Sequence, residues 1–129
     1  MAVRIALDTN RYRDLTDGDE EVTEILERAA SIHVPFVVLA ELRAGFSVGL
    51  RGRKNEQVLR RFLSKPDVDV LWPSEATTRS YADLYRQLRA QGTPVPTSDL
   101  WIAALVVEHD LALCTRDGHF AHLAQLTLI

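Results

Sequence analysis

TSDLWIAALVVEHDLALCTRDGHF, residues 97–120, is the stretch whose reading decides the fold. Trp101, Ile102, Leu105 and Val106 recur at helical spacing behind Thr97 or Ser98, either of which can cap the helix, and Asp99 falls in its first turn. The apolar run Leu111 to Thr115 follows closely, short enough to be a buried strand, and Asp117 lies two residues past its end. A helix feeding directly into a short, continuously apolar strand is the unit of a parallel sheet covered on both faces.

The same unit recurs upstream. Val3, Ile5 and Leu7 alternate with Arg4 and Ala6, a strand that delivers Asp8, Thr9 and Asn10 to a loop. Asp17 or Asp19 begins a helix carrying Val22, Ile25, Leu26, Ala29 and Ala30, and Asp19, Glu20 and Glu21 suit the positive end of its dipole. Ile32 to Val34 is a second strand. Pro35 opens a helix on which Glu41 shares a face with Val37, Val38, Ala44 and Gly45. Gly45, Gly49 and Gly52 read as turn glycines, because the run lacks the Gly-Lys-Ser/Thr ending of a phosphate-binding loop.

Val58, Leu59, Phe62 and Leu63 give a short helix its apolar stripe, closed by Lys65-Pro66. Asp67 to Trp72 is a third strand with Val68, Val70 and Trp72 on one side. Ser74 caps a long helix carrying Tyr81, Leu84, Tyr85 and Leu88, stopped by Gly92 and Pro94. Gln125 to Ile129 is the last strand. The expectation is one α/β domain over residues 1–129, with a mostly parallel five-stranded sheet flanked by helices on both faces.

A chain of 129 residues with 47% hydrophobic content fits one core. Cys114 is the only cysteine, which excludes an internal disulfide and suggests a buried thiol in a reducing compartment. The start of the chain shows no signal-peptide pattern, and no apolar stretch approaches the roughly 18 residues of a membrane span, so a cytoplasmic setting is expected. The net charge of −3 is unevenly spread: residues 51–65 carry six bases against one acid, whereas residues 14–27 carry seven acids and no base. The basic stripe is compatible with contacts to a phosphate backbone, with Arg53, Lys54 and Arg116 as candidates.

Ligands of open parallel sheets bind beyond the carboxyl ends of the strands, and Asp8 and Asp117 both lie just past such ends. Glu41 and Asp99 sit on helices able to pack against the same edge. Each acid alone has a structural explanation: Asp8 as a loop acid, Asp99 as a dipole acid, Asp117 as a turn former and Glu41 as the partner of a distant salt bridge. Together they form a cluster that would repel itself unless a hard cation such as Mg²⁺ or Mn²⁺ accepted its oxygens. His119 and His122 have no further His or Cys ligand beside them, so zinc is not expected, and Cys114, His33 and His109 read as structural.

LDTN at 7–10, AEL at 40–42, TSDLWIAA at 97–104 and TRDGHF at 115–120 resemble, in order and spacing, the PIN-domain ribonucleases, and especially the VapC-type toxins of type II toxin–antitoxin systems. The resemblance spans the whole chain and implies a PIN-like fold. It implies Asp8, Glu41, Asp99 and Asp117 as the catalytic, metal-binding acids, with Asn10 and Thr115 orienting them. It implies Mg²⁺- or Mn²⁺-dependent hydrolysis of RNA phosphodiester bonds, a cognate antitoxin and a homodimer. A phosphoacceptor receiver domain is disfavoured, since Lys54 and Lys65 are the only lysines and neither follows a late strand. The alternative is a PIN-like module that keeps the metal site and binds RNA or a partner without cutting.

Overall fold

The computed structural model describes residues 2–129. Five short strands, β1 (Arg4–Leu7), β2 (Ser31–Pro35), β3 (Val68–Leu71), β4 (Ala112–Cys114) and β5 (Thr127–Leu128), form one sheet in the order β3-β2-β1-β4-β5, every neighbouring pair parallel. The expected sheet is therefore present. Its helices are α1 (Thr9–Thr16), α2 (Glu20–Glu27), α3 (Phe36–Val48), α4 (Gly52–Leu63), α5 (Glu75–Gln91) and α6 (Thr97–Glu108), with a 3₁₀ turn over Gly118–His122. The chain walks outward from β1 to β2 and β3, then crosses back to the other side of β1 for β4 and β5. Right-handed crossovers consequently place α1 to α4 on one face and α5 and α6 on the other.

Burial follows from this cover. β1 is central, so Ile5, Ala6 and Leu7 are all buried and the alternation in its sequence does not mark a wet face. α6 is enclosed on nearly every side, with Leu100, Ile102, Ala103, Ala104, Leu105 and Val106 all in the core. Its first turn follows Pro96 rather than a Thr97 or Ser98 cap, and it packs along α5. Thr77, fully buried in α5, joins the two helices: Ser74 N–H donates to its hydroxyl, which donates in turn to Glu108 Oε1. Gly92 ends α5 at φ 71°, where a left-handed residue lets Thr93 N–H reach Leu88 O.

Four local expectations are corrected. Asp8 to Asn10 are not a loop: Asp8 caps α1 by accepting the Thr9 N–H, and α1 escaped notice because Tyr12 is its only buried apolar residue, alongside Thr9 and Arg11. Gly45 lies inside α3 and Gly52 begins α4, leaving Gly49 between the helices; a Cβ at Gly45 would stand 3.4 Å from Arg13 Nη2. Trp72 falls outside β3, 64% exposed and stacked on Phe36 at 6.3 Å, rather than within the strand. Tyr85 is likewise exposed, so Leu84 and Leu88 carry the buried face of α5. Among the described residues, no helix is long and apolar enough to cross a membrane.

Leu105, at 0% exposure in the middle of α6, has no room to be replaced by solvent. Leu105→Ala should destabilise the protein by about 2–5 kcal/mol, read as a lower midpoint in chemical denaturation with an unchanged slope.

Candidate functional site

β1 and β4 are neighbours at the point where the chain reverses its direction of travel across the sheet, and each delivers an acid just past its carboxyl end. The ladder continues one residue beyond the strands, since Asp8 N–H donates to Cys114 O at 3.1 Å. Asp8 is only 6% exposed. One carboxylate oxygen accepts the Thr9 N–H and the other accepts the Thr115 hydroxyl, each at 2.7 Å. Thr115 Oγ1 also accepts the Asp117 N–H at 3.0 Å, so a single hydroxyl sets both acids.

Glu41 reaches the cluster from α3, where its Oε1 accepts the Thr9 hydroxyl at 3.3 Å. It does not lie on an apolar face as its helical neighbours suggested. The buried residues of α3 are Val38, Leu39 and Leu42, and Glu41 instead faces the open side of the cluster. Asp99, in the first turn of α6, places Oδ2 at 2.9 Å from His119 Nδ1. Asp117 caps the 3₁₀ turn through His119 N–H and stands 3.1 Å from the same ring nitrogen. One ligand atom each from Asp99, Asp117 and His119 lie within 4.8 Å of one another.

The electrostatics show that the four acids share one field. Burial pushes the Asp8 carboxyl above its ordinary range against the pull of Thr115 and Thr9, and the charge of Asp117 pushes it further. Burial likewise raises Glu41, reinforced by Asp8 and Asp99. Asp99 is raised by burial, opposed by its bond to His119 and reinforced by Asp117 and Asp8. His119 is raised by its bond to Asp99 and by the charge of Asp117. Among the described residues, no Lys or Arg forms an ion pair with any of the four acids. Oxygen donors crowded in a field that no Lys or Arg ion pair neutralises fit a hard divalent ion.

Arg116, whose charge reaches Asp8, is itself paired with another acid. Arg116 forks onto Asp14 at 2.9 and 3.2 Å, and Arg11 bridges Asp14 and Glu21, which ties α1 to the loop carrying Thr115 and Asp117. Arg53 and Lys54 are exposed on α4, and Lys54 lines a groove of about 540 Å³ between α1, α3 and α4, together with Arg13 and Arg51. Asn10 is half-buried in α1, and among the described residues its side chain makes no hydrogen bond. Thr9 and His119 were not singled out for this site from the sequence. A hydroxyl beside an acid in LDTN signalled the first; the second was masked by asking only for His and Cys partners.

Cys114, directly beneath Asp8, is fully buried, and burial pushes its thiol up to about 11.

The PIN domain family model matches residues 5–126, and the chain belongs to that family. It is 32% identical to Ribonuclease VapC4 of Mycobacterium tuberculosis over 102 residues, 74% of each chain. It is also 32% identical to Plasmid stability protein StbB of Pseudomonas syringae pv. tomato over an alignment of 134 residues, covering 97% of this chain and 96% of that protein. Among solved structures, VapBC2 from Rickettsia felis, bound to a DNA fragment from its promoter, superposes with a TM-score of 0.87 at 26% identity, covering 98% of this chain and 97% of that one.

The raised carboxyls make the metal-free protein gain stability on mild acidification. Acids whose folded pKa lies above the ordinary 3.8 for Asp or 4.5 for Glu bind protons more readily folded than unfolded. The stabilising pair of His119 is complete below its ordinary 6.5 and is lost as pH rises through the higher folded value. Asp14 and Glu56, held low by arginines, lose their contribution only as pH falls below the ordinary carboxylate values. The melting temperature of chelator-treated protein should rise as pH is lowered from about 8 toward the ordinary carboxylate values and fall only below them; scanning calorimetry from about pH 8 to about pH 3 checks it.

Proposed function

We propose that the protein is a metal-dependent endoribonuclease that hydrolyses RNA phosphodiester bonds, the toxin member of a toxin–antitoxin pair. The observation that carries this reading is the gathering of Asp8, Glu41, Asp99 and Asp117 at the switch point of the sheet, linked through Thr9, Thr115 and His119. Such a cluster costs stability unless it has a cation to hold. The relatives add support: curated neighbours carry the name Ribonuclease VapC, and the structural neighbours include VapBC toxin–antitoxin complexes.

Asp8, Glu41, Asp99 and Asp117 hold Mg²⁺ or Mn²⁺ in this reading. A bound ion of that kind would activate the attacking water and offset charge building on the phosphate and the leaving oxygen. The chain's own contribution is position. Thr9 N–H and the Thr115 hydroxyl fix the rotamer of Asp8, and the Thr115 hydroxyl fixes the Asp117 backbone. Arg116 serves first as a tether to Asp14, which stiffens the loop between those two residues.

RNA enters along the groove between α1, α3 and α4, where Arg13, Arg51 and Lys54 supply positive charge, and Arg53 extends the basic surface. Phosphate contacts of this sort position a strand without reading its sequence. A cognate antitoxin, a homodimer and a cytoplasmic setting belong to the same reading.

Purified protein should cleave members of an RNA panel in Mg²⁺ or Mn²⁺, and Asp8→Asn or Asp99→Asn should lower the rate by about 100-fold or more. RNA that binds yet stays intact in both ions would favour the non-cutting binding module instead. Adding Mn²⁺ to chelator-treated protein should raise its melting temperature by mass action, with a smaller rise for Asp99→Asn; an identical response of that variant removes Asp99 from the set of ligands.

A further inference from the structure

His119 lies outside the four acids, yet its ring meets two of them. Nδ1 stands 2.9 Å from Asp99 Oδ2 and 3.1 Å from Asp117 Oδ1, nearly equidistant. Adjacent ligands of an octahedral ion with bonds of about 2.1 Å stand about 3.0 Å apart, the separation seen on both sides of this nitrogen. One donor atom from each of the three residues lies within 4.8 Å of the other two, close enough to share one ion. The backbone enforces the placement, because Asp117 Oδ1 accepts the His119 N–H at 2.9 Å and turns the residue back toward the acids. The ring is 51% exposed on a one-turn 3₁₀ segment, so no core packing accounts for its orientation.

We propose that His119 Nδ1 is itself a metal ligand, completing an Asp99–Asp117–His119 corner, and that it makes the site favour a first-row transition ion such as Mn²⁺ over Mg²⁺. The inference rests on the metal centre of the preceding section and adds a donor of a different chemical kind to it. Mg²⁺ is a hard ion best served by oxygen alone, and it dehydrates reluctantly. Imidazole is a softer donor that suits transition ions, so one nitrogen among carboxylates shifts the preference without closing the site to either metal. A purely structural His119 would hydrogen-bond the carboxylates without touching the ion, and would leave the preference between metals untouched.

The test uses the full-length chain with Mn²⁺ and Mg²⁺ as probes. Pulsed electron paramagnetic resonance of the Mn²⁺-loaded native protein should show coupling to an imidazole ¹⁴N nucleus, and His119→Ala should abolish it. Competition of Mg²⁺ against bound Mn²⁺, followed by the Mn²⁺ signal, should show the preference for Mn²⁺ falling on the order of tenfold in His119→Ala. His119→Gln, which offers only oxygen or amide groups, should behave like the alanine variant. Mn²⁺ bound without nitrogen coupling, with an unchanged preference in both variants, overturns the role of His119 and leaves the carboxylate centre standing. Native protein that binds neither ion overturns the centre and this inference together.

Discussion

The structure turns on a carboxylate held where carboxylates are costly. Asp8 sits at the end of the central strand, almost out of solvent, and only the Thr9 N–H and the Thr115 hydroxyl meet its charge directly. Two neutral donors do not offset its burial, so its pKa stays raised. Continuity of the backbone ladder from β1 to β4 keeps the residue in place, and the same ladder brings Thr115 to it. A shift of one residue in the pairing of those two strands would part the carboxylate from its hydroxyl and carry each buried side chain of β1 to the opposite face of the sheet.

Around that point the molecule divides labour between rigid and adjustable parts. α6 presents Asp99 from a helix packed on nearly all sides, and the Arg116–Asp14–Arg11–Glu21 network binds the loop after β4 to α1 and α2. Glu41 and His119 are the exposed members, one from α3 and the other from the 3₁₀ turn. Asp8, Asp99 and Asp117 are therefore held in place before any ion arrives, whereas the side open to solvent can adapt. Preorganisation of this kind keeps the cost of gathering like charges in folding rather than in binding.

Much of this was legible in the sequence because the sheet is parallel. Strands buried on both faces read as apolar runs, as in Ala112 to Cys114, and the acids at their ends stand out against them. α1 was illegible because its partners are polar: Arg11 is buried against Asp14 and Glu21, a pairing that hydropathy cannot register. Trp72 misled for the opposite reason, since an aromatic residue in phase with a strand was placed within it on the side of Val68 and Val70, yet β3 ends at Leu71 and leaves the indole on Phe36. The convergence of Asp8, Glu41, Asp99 and Asp117 followed from topology. The parts played by Thr9 and His119 depended on side-chain directions that no periodicity encodes.

Cys114 carries a consequence for survival under stress. Its thiol lies one residue from Asp8 in the paired strands, and with a pKa near 11 it remains protonated at neutral pH. Peroxides and alkylating agents attack the thiolate, which burial and the adjacent carboxylates suppress here. A cell under oxidative attack would thus lose many exposed cysteines while this protein kept the floor of its acidic cluster chemically intact.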